Sequence, residues 1–257
     1  MEWIAANSVR LCTLALGAGA GTPVVMLHGW VTGNMATWYP AYAVPLAQGR
    51  RVLLYDQRGH GESRLESTDH AVGYDLDGQA DDLRDVVDHH GEHDARVDIV
   101  GYSMGALTAL RFALRYPQRV RRLVLVDAPW PANHCIGPSL RAVDSPRALH
   151  AFLGEQAEPA GGRRYARLYE RASRMFFATS LVRDVEAMEA ESPERLARLV
   201  APVLLVYGAE SPFRAAGPRL AADLPHARLE WLPGDHDLIH SQTDALLAAI
   251  RRFLGEP

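Results

Sequence analysis

Ser103 stands between two glycines in Gly101-Tyr102-Ser103-Met104-Gly105, the G-x-S-x-G spacing of a nucleophile elbow. The run before it, RVDIV, carries β-branched Val97, Ile99 and Val100 and reads as a short buried strand. The run after it repeats Ala106, Leu107, Ala109, Leu110, Ala113 and Leu114 at helical spacing and ends before Pro117. A tight strand-to-helix turn would hold Ser103 in strained φ/ψ with its hydroxyl pushed outward. Close approach of neighbouring chains would leave little room beyond a glycine hydrogen at positions 101 and 105. The helix start aims free N–H groups and a positive dipole end at the same spot, so Met104 N–H is a candidate oxyanion donor. A serine hydroxyl is a poor nucleophile near neutral pH and needs a base, usually histidine, with a third group to orient that base.

The chain that must position these groups is 257 residues long, 48% hydrophobic and 23% charged, which suits one α/β domain with an insertion. A formal net charge of -4 argues against nucleic acid as a partner. All 27 basic residues are arginine, which excludes Schiff-base chemistry on a lysine. Cys12 and Cys135 lack C-x-x-C spacing, so neither a zinc site nor a disulfide framework is expected, and the expected setting is the cytoplasm. The stretch VRLCTLAL alternates like a strand and follows Glu2, which disfavours a secretion signal, and no run is long enough to span a membrane.

Strands alternate with helices along most of the sequence. Glu2 to Leu16 reads as two short strands turning at Asn7-Ser8, and Pro23 to Trp30 as a central parallel strand after a flexible turn at Gly17 to Thr22. Arg51 to Tyr55, Val120 to Val126, Pro202 to Gly208 and Ala227 to Leu232 supply further strands. Tyr74 to His89, Phe213 to Leu224 and Thr243 to Leu254 supply helices. The HHGEHD run after the first of these helices reads as an exposed loop rather than a metal site, since no helical register carries across Gly91. From Ala128 to Ser192 the strand rhythm disappears and broken helices follow.

The motifs HGW (28–30), DQRGHGES (56–63), GYSMG (101–105), LVLVDAP (123–129) and GDHDLIH (234–240) occur in an order that resembles the α/β-hydrolase superfamily over essentially the whole chain. The resemblance implies an α/β-hydrolase fold: a mostly parallel sheet with helices on both faces and an inserted helical cap. The core would be residues 1–127 and 193–257, and the cap 128–192. By the same resemblance the Trp30 N–H is the second oxyanion donor, with its indole walling the pocket and His28 supporting the loop. Asp56 and Arg58 would form a structural ion pair, and His60 would be a surface or loop residue.

His236, in a PGDH that resembles the family's G-x-GH, is the implied base, with His240 the weaker alternative. The commonest family position for the acid holds Ser211 here. That leaves two candidates, Glu210 one residue earlier and Asp127 at the end of the preceding strand, where some members carry it. The implied activity is cofactor-free hydrolysis of an ester or thioester through an acyl-enzyme on Ser103. The alternatives are a lyase or cyclase using the same serine and histidine, and a ligand receptor. Dehalogenase and epoxide-hydrolase relatives carry Asp at the elbow, where this chain has Ser103.

In the cap, Tyr165, Leu168, Met175 and Phe176 share an apolar stripe expected to line an acyl pocket. Arg163, Arg167, Arg171 and Arg174 fall largely on another face, among six arginines against the single acid Glu170 from Gly161 to Arg183. Such a face would suit an acyl carrier protein or a CoA-linked acyl chain, a resemblance to the pimeloyl-carrier methyl esterases. The plainer reading is a solvated helix face. No nucleic-acid or membrane partner is expected, and no metal.

Overall fold

The computed structural model describes residues 1–6, 9–65, 73–93, 95–156 and 162–255. Its strands are β1 (Glu2–Ala6), β2 (Val9–Leu16), β3 (Gly21–Leu27), β4 (Arg50–Tyr55), β5 (Arg64–Leu65), β6 (Val97–Tyr102), β7 (Val120–Val126), β8 (Val203–Gly208) and β9 (Ala227–Leu232). They form one sheet in the order β1-β2-β4-β3-β6-β7-β8-β9, with β5 paired to β2. Pairs involving β2 are antiparallel, and every pair from β4 through β3 to β9 is parallel.

The helices are α1 (Val44–Leu46), α2 (Leu76–His89), α3 (Met104–Arg115), α4 (Ala132–Cys135), α5 (Gly137–Arg141), α6 (Pro146–Gln156), α7 (Gly162–Ala178), α8 (Leu181–Glu186), α9 (Pro193–Leu196), α10 (Ala216–Asp223), α11 (Leu238–Ser241) and α12 (Thr243–Leu254). Parallel connections put helices on both faces, so successive strand residues enter opposite cores. Val25, Leu27, Ile99 and Leu125 pack with Leu83 of α2 and Leu110 of α3 on one face. Val24, Met26, Val100 and Val124 pack with Trp38, Leu46 and Ile250 on the other. This is the α/β-hydrolase architecture expected from the motif order, with a mostly parallel sheet covered on both sides.

Element ends differ from the sequence reading by a few residues. β3 begins at Gly21, because the register with β4 shifts between Gly21 and Val24 and so accommodates Pro23, which has no N–H to give the ladder. β3 stops at Leu27, leaving His28-Gly29-Trp30 as loop. α2 starts at Leu76, where the Asp75 side chain accepts a hydrogen bond from Gly78 N and so caps the helix. The turn expected at Asn7-Ser8 lies outside the described residues. Among the described residues between β7 and β8 every element is helical, α4 to α9, and the expected cap limit at Ser192 falls on the residue that caps α9.

Candidate active site

Three loops at the C-terminal ends of β6, β7 and β9 carry the groups that meet. Ser103, between β6 and α3, has φ 55 and ψ -123, a conformation few non-glycine residues adopt. A Cβ on Gly101 would come 2.3 Å from Gly105 O, and one on Gly105 would come 2.5 Å from His28 O. Both collisions are with backbone, so the two glycines are steric requirements of the turn. Ser103 N–H donates to Val126 O (2.9 Å), tying the turn to β7.

Asp127 directly follows β7, also at positive φ (47), and is fully buried. A buried carboxylate is tolerable only where its oxygens are satisfied. Gly208 N–H donates to Oδ1 (3.0 Å) and the Ser211 hydroxyl to Oδ2 (2.6 Å). The ring of His236 completes the set, with Nδ1 2.6 Å from Oδ2. A carboxylate on Nδ1 places the ring proton there and leaves Nε2 as acceptor. Ser103 Oγ lies 3.1 Å from that Nε2.

The His236 loop folds against the end of β8: a Cβ on Gly208 would lie 2.4 Å from both Gly234 O and Asp235 O. Tyr102 OH donates to His236 O (2.8 Å) and its ring stacks on the imidazole at 5.0 Å, while Phe213 meets the imidazole edge-on at 4.7 Å. Glu210 does not reach the ring. Its carboxylate accepts the Gly234 N–H instead, bracing the loop from below. His240 is exposed and bonded to Asp237 (2.7 Å). The structure therefore brings together Ser103, His236 and Asp127, and leaves Glu210 and His240 outside that chain of hydrogen bonds.

The His28-Gly29-Trp30 loop presses on the elbow, since a Cβ on Gly29 would come 3.0 Å from Ser103 Cβ. His28 is buried and accepts the Gln57 N–H at Nε2 (3.0 Å), while its Nδ1 lies 2.7 Å from Gly29 O. Burial pushes its pKa down to about 4, so it holds the loop as a neutral ring. Met104 opens α3, where the first N–H groups lack intrahelical partners.

In the DQRGHGES loop the expected Asp56–Arg58 ion pair is corrected, and His60 is a loop residue as expected but not a surface one. Arg58 pairs with Asp82 of α2 (2.7 Å), not with Asp56, whose oxygens accept the Met35 and Glu62 amides (2.7 Å each). His60 is 1% exposed, and burial pushes its pKa down to about 3. Arg58 is drawn to α2, where its guanidinium also donates to Gly78 O (2.9 Å), and His60 turns back on its own loop, with Nδ1 2.9 Å from Arg58 O.

A cleft of about 860 Å³ opens beside the histidine, lined among others by Trp30, Tyr102, Tyr165, Leu168, Arg171 and His236. Of the four residues expected from α7, Tyr165 and Leu168 line it. Met175 and Phe176 do not: they are buried in the core, with Phe176 against Phe152 at 5.6 Å. The stripe runs on for two turns beyond Leu168, about 10 Å at helical rise, and by then the helix has left the opening. Arg164, exposed, and Arg171, half-buried, fall on this same stripe at helical spacing and line the cleft, whereas the exposed Arg163, Arg167 and Arg174 do not line it. The sequence reading passed over Arg164, Tyr102 and Phe213. A period count on α7 anchored at Leu168 would have found Arg164.

No helix among the described residues is long and apolar enough to cross a membrane. A family profile described as alpha/beta hydrolase fold matches residues 22–201. A 2-hydroxy-6-oxononadienedioate/2-hydroxy-6-oxononatrienedioate hydrolase of Cupriavidus pinatubonensis is 32% identical over 83% of this chain and 79% of its own. A putative 2-succinyl-6-hydroxy-2,4-cyclohexadiene-1-carboxylate synthase of Bacillus subtilis is 27% identical over 95% of this chain and 94% of its own. The crystal structure of a hydrolase from Pseudomonas aeruginosa superposes with a TM-score of 0.73 at 28% identity, covering 99% of this chain and 98% of that one. Some relatives are longer: the chain spans 30% of the length of mycobacterial proteins that it matches at 39% identity over 111 residues.

Proposed function

This chain belongs to the α/β-hydrolase fold family, and we propose that it is a cofactor-independent serine hydrolase of small to medium esters or thioesters. The observation that carries the reading is the continuous relay from Ser103 Oγ to His236 Nε2 (3.1 Å) and from His236 Nδ1 to Asp127 Oδ2 (2.6 Å).

In this mechanism Ser103 Oγ attacks the carbonyl carbon as His236 Nε2 takes its proton. Negative charge on the carbonyl oxygen is met by the Met104 and Trp30 backbone N–H groups. Asp127 stabilises the imidazolium and keeps its orientation without taking the proton. The imidazolium then gives the proton to the leaving alcohol or thiol, and an acyl-Ser103 remains. Water, deprotonated by the same histidine, attacks the acyl group, and the returning proton frees Ser103.

The cleft volume falls in the range that encloses a single small ligand, with Trp30, Tyr165 and Leu168 as apolar wall. Arg164 and Arg171 on that wall suit an acyl substrate bearing a negative group, including one tethered to CoA or an acyl carrier protein. A cytoplasmic setting goes with this reading and is supported by Cys12 and Cys135 both being free thiols. The test is turnover of a short p-nitrophenyl ester together with fluorophosphonate labelling. Labelling is expected at Ser103 and lost in Ser103→Ala and His236→Ala. Labelling that survives both changes refutes the assignment.

The non-hydrolytic alternative draws on the Bacillus synthase, whose similarity spans nearly the whole chain. Fold alone does not choose between a water-consuming reaction and an elimination at the same serine and histidine. An ester that acylates Ser103 and is then released with a burst favours hydrolysis.

A further inference from the structure

Away from the cleft, three potential metal ligands from two distant parts of the chain converge. His89 closes α2 and His90 is its capping residue, while Glu2 comes from the edge strand β1. His89 Nε2 lies 3.1 Å from a Glu2 carboxylate oxygen, the two imidazoles meet edge-to-face at 5.1 Å, and one ligand atom from each of the three residues lies within 4.8 Å of the others. Adjacent histidines inside a helix would point about 100° apart. At the helix end the backbone leaves helical geometry at His90 (φ -83, ψ 13), and the rings turn toward the paired strands β1 and β2, His89 to Glu2 and His90 to Thr13.

We infer that Glu2, His89 and His90 form a zinc-binding site that clamps β1 to the end of α2. Two imidazole nitrogens and a carboxylate oxygen are a donor set that suits zinc, which sits roughly 2.0–2.2 Å from such atoms, with water as the fourth ligand. Zinc ligands therefore stand roughly 3.3 Å apart, as His89 and Glu2 already do, and both of these side chains are exposed enough to close further. His90 is buried, and its Nε2 lies 3.2 Å from the hydroxyl of Thr13 on β2, a contact that orients the ring in the way outer-shell partners orient metal ligands. The neighbouring cation, Arg51, is engaged by the His90 carbonyl (2.7 Å) and Glu92 (3.5 Å), so it does not compete for the Glu2 carboxylate.

The site lies on the edge strand, and three strands, β2, β4 and β3, stand between β1 and β6, which leads into Ser103, so the two are roughly 19 Å apart across the sheet. Its consequence is mechanical: among the described residues β1 pairs only with β2, and the metal would add a link from β1 to a core helix.

The test is a calorimetric titration of the full, untagged chain with ZnCl2, with the melting temperature measured in parallel. One saturable equivalent at this site and a rise in melting temperature are expected in wild type. His89→Ala and Glu2→Gln, both at exposed positions, should each weaken zinc binding by more than about ten-fold and remove the thermal gain, leaving ester turnover unchanged. His240→Ala, which removes a cleft imidazole, should leave this zinc affinity intact. No saturable zinc binding, equal affinity in wild type and both site variants, or affinity lost only in His240→Ala would overturn the inference.

Discussion

Ser211 donates its hydroxyl to Asp127 Oδ2 at 2.6 Å, the same oxygen that meets His236 Nδ1 at 2.6 Å. In the proposed mechanism, the residue standing where the commonest family pattern has its acid thus supports an acid contributed by the neighbouring strand. Removing it with Ser211→Ala takes one of three charge-assisted bonds from a buried carboxylate, a loss of about 1.5–3 kcal/mol in stability. The same loss loosens the carboxylate that orients His236, so kcat on one ester should fall as well. Urea denaturation and steady-state kinetics check the two effects. An unchanged kcat would reduce Ser211 to a packing residue.

Asp127→Asn should lower kcat by roughly 10³ to 10⁴-fold, because an amide at that place favours the wrong tautomer of His236. Glu210→Gln should cost little, since its carboxylate braces Gly234 rather than the ring. Steady-state kinetics on one ester decide it, and the reverse pattern would move the acid role to Glu210.

Stability should fall as the solution is acidified through the range below the ordinary histidine pKa. Burial holds His28 at about 4 and His60 at about 3 in the folded chain, while both sit near 6.5 when unfolded. Between pH 6.5 and 4 the unfolded chain binds protons that the native chain refuses, so the stability present above 6.5 is lost as pH falls, at up to about 1.4 kcal/mol per pH unit for each ring. Melting temperatures from pH 7.5 to 4.5 should drop more steeply in wild type than in His60→Gln. Equal slopes would mean that the ring is not held neutral.

Arg171 lines the cleft half-buried, its guanidinium donating to Gly61 O at 2.9 Å. Arg164→Gln and Arg171→Gln should lower kcat/KM on a CoA-linked acyl substrate and spare a neutral p-nitrophenyl ester, with the difference shrinking in high salt. Arg163→Gln and Arg167→Gln, on the solvent face of the same helix, should do neither. Equal losses on both substrates would leave the anionic substrate class unsupported.

Ser103 and the glycines at 101 and 105 were legible in the sequence because the elbow's chemistry is local. A positive-φ turn between a strand and a helix constrains residues within four positions of one another, and periodicity marks the elements on either side. The strand-helix alternation and the sheet covered on both faces followed for the same reason, each parallel strand carrying its burial in its own apolar run. The choice between Asp127 and Glu210 was not local. It turns on how the 234–235 loop lies across Gly208, which aims Glu210 at a backbone amide and leaves Asp127 facing the ring. Arg58 finding Asp82 instead of Asp56, and Glu2 meeting His89 across 87 positions, are pairings of the same kind. Short-range pattern sets which face of an element is apolar; only the packing of distant elements against one another decides which polar group a buried charge will find.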